Sequence, residues 1–521
     1  MKDQQNPKDR PVGSVGSKIA RGAAWMVVLQ SADRVLGLVS MLVLARLLFP
    51  ADFGLVALGM AIVGSLAASS EFGFDLALIQ NQSAERRHYD TAWTLGILRG
   101  CFIAGLLLLV SGPAAALLQD ERLVLLICVL SLIPFLEGFI NIGTVEFRKQ
   151  LVFRKEFLFR FSSRLGGVVT TVTLAFIWRD YWALVVGQIT ASSLRLVLSY
   201  TYQSYRPRLS LAAWKELFHF SKWLFMSGLA QFASRRASTF VVGVFLTPTP
   251  VGLFALSGEI MNSISQALIA PIKRTFFPGL AKISQDRAAM RDVLMKAYSL
   301  SVTLALPLIV GLGLTAEFFV PLAFGPKWLE TIPIIQILVL SALANSLQAP
   351  VRPLLLATKR PGLVTMLAIV NALVLIPALI VGTWMAGIEG AAWALVAENT
   401  LMLLVHHGLL RHHLQTSFAQ VFRWLWRALA SCCAMVLAVA AVRTTLIAPA
   451  PAGTTEMISA LALVVATGGL AFLITLLSLW ALSGRPEASA EHVVLTALRK
   501  KFFPAAPPVE AAVTGGEKAG S

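Results

Sequence analysis

Charge is scarce in this chain, and acidic charge scarcer still. Of 521 residues 14% are charged, 27 Asp and Glu stand against 44 Lys and Arg, and 57% are hydrophobic, with a mean hydropathy of +0.74. A soluble domain needs about a quarter of its residues charged, so this composition excludes an ordinary globular protein. Cysteine is nearly absent. Cys101, Cys128, Cys432 and Cys433 all fall in apolar runs without disulfide or metal spacing, which leaves packing as their role. Enzyme signatures are missing as well: the loops hold no P-loop, nucleophile elbow, HExxH or Gly-rich dinucleotide fingerprint. The expectation is a protein that is not an enzyme, with no cofactor and no metal. A cleavable signal peptide is not expected either, because the first 20 residues are polar and basic and the first apolar run is far longer than a signal core.

What the chain has in quantity is apolar runs long enough to cross a bilayer, about 20 residues each. Fourteen are predicted: 21–47, 53–79, 92–118, 122–145, 157–177, 182–203, 218–246, 250–276, 296–323, 332–358, 361–384, 388–411, 424–446 and 456–482. With the connections assigned alternately to the two sides, 32 of the 44 Lys and Arg fall on the side of the N-terminus. The other side holds only Arg46, Arg122, Arg179, Lys327 and Arg443, and seven more Arg lie within spans. By the positive-inside rule both termini are cytoplasmic. The net charge of +17 is therefore a matter of topology and anionic lipid, and no nucleic-acid partner is expected.

The outside connections are short, such as Trp178 to Tyr181, Thr247 to Pro250 and Ala386 to Gly390. An enzyme acting on the outer face needs a sizeable loop there, since irregular backbone is not tolerated against lipid. The inside loops 80–91, 146–156, 204–217, 277–295 and 412–423 are longer and basic. Beyond Ser483 a basic amphipathic stretch, Glu491 to Phe503, suits the inner membrane face, and the residues after Pro508 have the composition of a disordered tail.

Offset by 198 residues, the chain resembles itself. Trp25 meets Trp223, Pro50 meets Pro248, Gly54 meets Gly252, Leu55 meets Leu253 and Ala57 meets Ala255. Both copies sit on the hairpin joining the first two spans of a half. Six spans separate them, so the halves run in the same direction, as in two-lobed transporters. The expected fold is an all-α polytopic membrane protein of about 14 transmembrane helices, with two parallel six-helix lobes plus two C-terminal helices. The segments are a cytoplasmic N-terminus (1–20), an N-lobe (21–203), an inter-lobe linker (204–217), a C-lobe (218–411), helices 13 and 14 (424–482) and a cytoplasmic tail (483–521).

The hairpin from Val43 to Ala57, with Gly73 to Gln80 and Thr91-Ala92-Trp93 downstream, resembles the polysaccharide exporters of the MOP flippase superfamily, nearest the Wzx-type proteins of exopolysaccharide synthesis. The resemblance implies a MATE-like fold around a central cavity in the bacterial inner membrane. It also implies flipping of undecaprenyl-diphosphate-linked oligosaccharide repeat units for exopolysaccharide or lipopolysaccharide synthesis. The partners implied are membrane lipids and the polymerase and export machinery. Arg34-Val35-Leu36-Gly37 resembles the lipid II flippase branch, but that branch's second Arg, six residues on, is replaced by Ser40.

Charges at mid-bilayer cost roughly 2.5–3.5 kcal/mol on the lenient scale and must face a cavity or a partner. Arg34 lies near the middle of the first span, and Arg235 and Arg236 lie one turn from its repeat equivalent. Guanidinium groups suit a diphosphate because they bind phosphate oxygens bidentately and stay charged. Arg99, Arg164, Arg195 and Arg352 lie nearer inside ends and are further candidates, with snorkelling as the alternative. Asp33, Glu71, Glu137, Glu259 and Glu398 are candidates for ion coupling or simple counter-ions, and Asp75 for pairing with Arg86 or Arg87. His406, His407, His412 and His413 read as a solvated basic helix end. Pro134, Pro271, Pro350 and Pro353 are candidate hinges. A cation-coupled drug antiporter of the same superfamily and a non-transporting scaffold of a synthesis complex are the alternatives to a flippase.

Overall fold

The computed structural model describes residues 12–69, 73–81, 83–150, 152–217, 238–263, 287–348, 351–358, 360–414, 417–446, 453–486, 489, 491–492 and 495–496. Among them there is no strand. In chain order the helices are α1 (Val12–Leu47), α2 (Pro50–Ser69), α3 (Phe74–Gln80), α4 (Arg86–Leu118), α5 (Arg122–Leu130), α6 (Leu132–Gly138), α7 (Val145–Lys149), α8 (Phe153–Trp178) and α9 (Trp182–Tyr202). Then come α10 (238–245) and α11 (248–263), followed by α12 (Arg287–Ala323), α13 (Thr331–Gln348), α14 (Val351–Ala357), α15 (Pro361–Leu414), α16 (Phe418–Leu446) and α17 (Thr454–Leu482). Nine of the described helices are long and apolar enough to span a membrane, ten if the bent segment from Arg122 to Lys149 counts as one span. The chain is a multi-pass membrane protein.

Helix ends follow the local chemistry. Pro50, whose missing N–H costs nothing in a first turn, opens α2, and the Asp52 carboxylate accepts from the Phe49 N–H at 2.8 Å. α15 is two helices, broken where Ala386 (φ −142°) and Gly387 (φ +57°) leave helical geometry. The break falls between the predicted spans ending at 384 and starting at 388. The segment predicted as one span over 122–145 is instead bent by 66°. Its bend lies at 139–141, not at Pro134, which sits in a helical stretch. There the Asn141 side chain accepts from the Gly143 N–H at 2.9 Å and donates to the Tyr205 carbonyl at 2.6 Å, replacing helix bonds with side-chain ones.

The helices pack as two sets. In the first, α8 packs on α1 and α9, and α4 on α5 and α6; in the second, α12 packs on α13, α16 and α17, and α13 on α15. They meet at the hairpins that the 198-residue offset relates. A Cβ on Gly54 would overlap the Pro248 carbonyl and the Gly252 nitrogen. One on Gly252 would overlap the Pro50 carbonyl and the Gly54 nitrogen. Each copy of the repeat thus receives the other reciprocally, as two-fold symmetry requires. Around this crossing the largest apolar cluster runs across both sets, from Leu55 and Leu58 through Val242 and Leu253 to Ile309, Trp328 and Ile335.

At the opposite end, residues 203–217 lie along the first set. The Asp90 carboxylate accepts from Tyr205 Oη (2.6 Å) and the Arg208 N–H (2.9 Å), while Thr91 and Thr94 hydroxyls accept from the N–H groups of Ala213 and Ser210. The Glu85 N–H donates to His88 Nδ1, so His88 Nε2 carries the proton it gives to Glu216, 2.9 Å away. That bond holds the exposed Glu216 carboxyl below its usual range. The tail differs from expectation at its start. Glu491 is buried against α16 in a bidentate pair with Arg427 (3.0 and 3.2 Å), because a guanidinium enclosed there requires a counter-charge. Residues 497–503 lie outside the described residues.

Candidate functional site

A cavity of about 400 Å³ opens between the two sets. α1 contributes a stripe at helical spacing: Asp33, Arg34, Gly37, Met41 and Leu44. Arg164 and Val168 of α8 face it from one side and Glu259 and Ser263 of α11 from across the interface. Four of the charged candidates named from sequence, Asp33, Arg34, Arg164 and Glu259, therefore share one chamber. Its wall towards the hairpin crossing is Phe53, whose ring meets the fully buried Trp328 edge-on at 5.3 Å.

Geometry within the chamber is uneven. Arg164 Nε stands 3.8 Å from Asp33 Oδ1, too far for a hydrogen bond. Asp33 Oδ1 is enclosed and accepts no hydrogen bond among the described residues. The Arg164 side chain is half exposed and lines the chamber.

The remaining candidates separate. Arg195 pairs with Glu137 at 3.5 Å, and Arg99 donates to the Ala67 carbonyl at 2.8 Å; neither lines the cavity. Arg352 is exposed on α14. Asp75 pairs with Arg148 at 3.3 Å, not with Arg86 or Arg87, because α3 packs on α7. His407 is buried and the His406 ring bonds the Met402 carbonyl, so those two are packed in the bundle and not solvated. Glu71, Arg235 and Arg236 lie outside the described residues. No group of three or more His, Cys, Asp or Glu among the described residues is placed to hold a metal.

Glu398 occupies a second polar centre. It is 2% exposed, and both of its oxygens accept from amides, one from Asn371 and the other from Asn399 at 2.7 Å. Asn399 also donates to Ser341 at 3.2 Å, and its carbonyl accepts from Gln348 at 2.9 Å. No cation lies within ion-pair distance of Glu398 among the described residues. Sequence reasoning found the carboxylate and missed its cage, since Asn, Ser and Gln carry no positional signal in an apolar run.

Residues 43–333 match the family described as "Polysaccharide biosynthesis protein". The chain belongs to that family. Within it, the match begins on the Val43 hairpin and runs through the cavity wall of α8 and α11 to the start of α13. The family member is 28% identical over 79% of its length to the lipopolysaccharide biosynthesis protein WzxC of Escherichia coli, covering 85% of that protein. It is 25% identical over 62% to the succinoglycan biosynthesis transport protein ExoT of Rhizobium meliloti, covering 66% of it. In fold it is similar to the lipid II flippase MurJ in an inward closed conformation (TM-score 0.71, 13% identity, 87% of this chain and 99% of that one). It is also similar to an inward-facing multidrug MATE transporter of the MOP superfamily (TM-score 0.56, 14% identity, 73% and 94%). The all-helical, MATE-like fold expected from sequence is thus the observed one, with nine or ten spanning helices found among the described residues against the 14 expected.

Proposed function

We propose that this family member is a flippase that moves undecaprenyl-diphosphate-linked oligosaccharide repeat units across the bacterial inner membrane, for exopolysaccharide or lipopolysaccharide synthesis. The observation that carries the reading is the chamber holding Arg34 and Arg164 between two halves of a membrane-embedded fold. Charge carries a substantial insertion cost at this depth and is tolerated where it faces a cavity, and two guanidinium groups there fit the phosphate oxygens of a lipid diphosphate. Relatives named for lipopolysaccharide biosynthesis and for succinoglycan transport support the same class of cargo. At about 400 Å³ the chamber has the size of a small-molecule site, enough for a diphosphate head and not for several sugars. The sugars then require the halves to part further.

Both termini face the cytoplasm in this reading, and the lobes are 21–203 and 218–411. The charge count puts Arg46 and Lys327 among the few outside cations, and both lie at the closed end, so in this reading the carrier is loaded from within. The lobes then rock and part at the hairpin crossing while the polyprenyl chain stays in lipid, where each CH₂ is worth about 0.8 kcal/mol. Flipping of a short lipid-linked oligosaccharide in proteoliposomes, followed by an external glycosidase, tests it. Wild type transports and Arg34→Ala loses roughly tenfold or more in rate, the worth of one charge-assisted contact. Equal rates would remove Arg34 from the site; an inactive, folded wild type would shift the reading to a drug antiporter or a scaffold.

A further inference from the structure

The α1 stripe is interrupted by a glycine where the cavity would otherwise receive a side chain. A Cβ at Gly37 would stand 3.1 Å from Arg164 Nη2, tighter than normal carbon–nitrogen contact, and that guanidinium is its sole neighbour within 4 Å. The Arg164 head therefore lies on bare α1 backbone, one turn beyond Arg34, or about 4.5 Å along the axis. Its Nε edge faces the Asp33 carboxylate at 3.8 Å. A turn further on, the buried side chain of Ser40 also lines the chamber. Glycine in mid-helix is about 1 kcal/mol worse than alanine, so its presence here works against the stability of the helix. No backbone approaches it that would require the missing Cβ, in contrast to Gly54.

We propose that Gly37 is a positioning residue: its missing side chain forms a notch that seats the Arg164 guanidinium beside Arg34, so that two helices of the same half present a paired site for the diphosphate. The notch deepens the flippase reading and rests on it. Asp33 braces the Nε edge of the head, and the terminal nitrogens are left to the ligand. Among the described residues, both guanidinium groups of this grip belong to the first half. The second half contributes Glu259, a like charge to the cargo, on the facing wall.

Alanine at 37 displaces only the end of a flexible side chain and improves helix propensity, so the fold is expected to stand. The test is binding of farnesyl diphosphate to the full-length protein in nanodiscs, with farnesol as the uncharged control, for wild type, Gly37→Ala, Arg164→Ala and the double variant. Gly37→Ala is expected to keep or raise the melting temperature while weakening diphosphate binding roughly tenfold, as for one charge-assisted contact. In the Arg164→Ala background the same change has no further effect, whereas a purely structural role would add its loss in both backgrounds. Undiminished binding by Gly37→Ala, or additive losses, overturns the notch and leaves the flippase reading intact. Wild type that fails to prefer the diphosphate to farnesol overturns both.

Discussion

At the scale of single residues, the mid-membrane charges show that position along a helix and direction around it are separate pieces of information. Arg99, Arg164 and Arg195 stand at similar depths by sequence. One bonds a helix carbonyl, one faces a chamber and one pairs with a carboxylate. Only neighbours decide among those fates, and the neighbours come from other helices. Glu398 is the sharpest case. A carboxylate enclosed by the amides of Asn371 and Asn399, with no cation beside it among the described residues, has its charge balanced by dipoles alone. Such a group is suited to gain and lose a proton or a small cation as the carrier cycles. Glu398→Gln preserves shape and loses the charge. It is expected to cost about 1 kcal/mol of stability, one altered hydrogen bond, while abolishing any stimulation of flipping by an imposed proton or sodium gradient. Measured in proteoliposomes with and without the gradient, a variant that still responds assigns Glu398 to structure.

Among the helices, apolar length and punctuation were legible and bends were not. The C-terminal ends of α9, α12 and α17 fall where the runs of apolar residues stop, and the break of α15 falls on Ala386-Gly387 between two expected spans, whereas α12 starts at Arg287, within the loop expected over 277–295. The bend at 139–141 was invisible because it is made by Asn141 reaching to Tyr205, a partner 64 residues away, within a stretch that remains apolar. The same limit applies to the site. Arg34 was marked by its mid-span position, whereas Gly37 and the amide cage of Glu398 acquire meaning only once α8, α13 and the two helices of α15 are in place. The repeat is the element-scale feature that sequence located best, since Gly54 and Gly252 turn out to be each other's contact. Here a Cβ meets backbone, which cannot rotate away. Gly54→Ala is expected to destabilise the protein by about 1–3 kcal/mol, the usual penalty of overpacking, and Gly252→Ala by a similar amount. Because both act on one contact, the double variant should cost less than their sum. Gly105→Ala, with open space around it, is the control and should be neutral or slightly stabilising. Thermal unfolding in detergent checks all four, and an unperturbed Gly54→Ala would mean the crossing is not formed in the populated state.

For the molecule as a whole, the halves are tied where the chamber is closed. The Arg46 guanidinium, from the end of α1, donates through Nε to the Ala323 carbonyl at 2.9 Å and through Nη2 to that of Leu322, at the C-terminus of α12. Those carbonyls carry the negative end of a long helix, which a cation there stabilises. In return Lys327 Nζ donates to the Arg46 carbonyl at 3.0 Å and lies over the Phe49 ring at 4.7 Å, and Trp328 Nε1 donates to the Ala45 carbonyl at 2.8 Å. Two cations and an indole N–H thus bond backbone carbonyls between the end of α1 and the α12–α13 connection, and they act as a clasp on the end that the charge bias assigns to the outside. An outward-opening motion has to break them together. Removing the best-connected member should therefore raise the outward-open population without touching the chamber. With Ser40→Cys as a reporter in a cysteine-free background, Arg46→Ala is expected to speed labelling by a membrane-impermeant maleimide from the periplasmic side roughly tenfold, since a lost charge-assisted bond of about 1.5 kcal/mol shifts a two-state balance by that factor. Lys327→Ala should act in the same direction and more weakly, because its ammonium is partly exposed and makes one bond. Farnesyl diphosphate, if it holds the loaded chamber closed to the outside, should slow the labelling of both. Labelling unchanged by Arg46→Ala would place the barrier to opening in the apolar crossing itself, at Gly54 and Gly252, and leave the clasp as a surface contact.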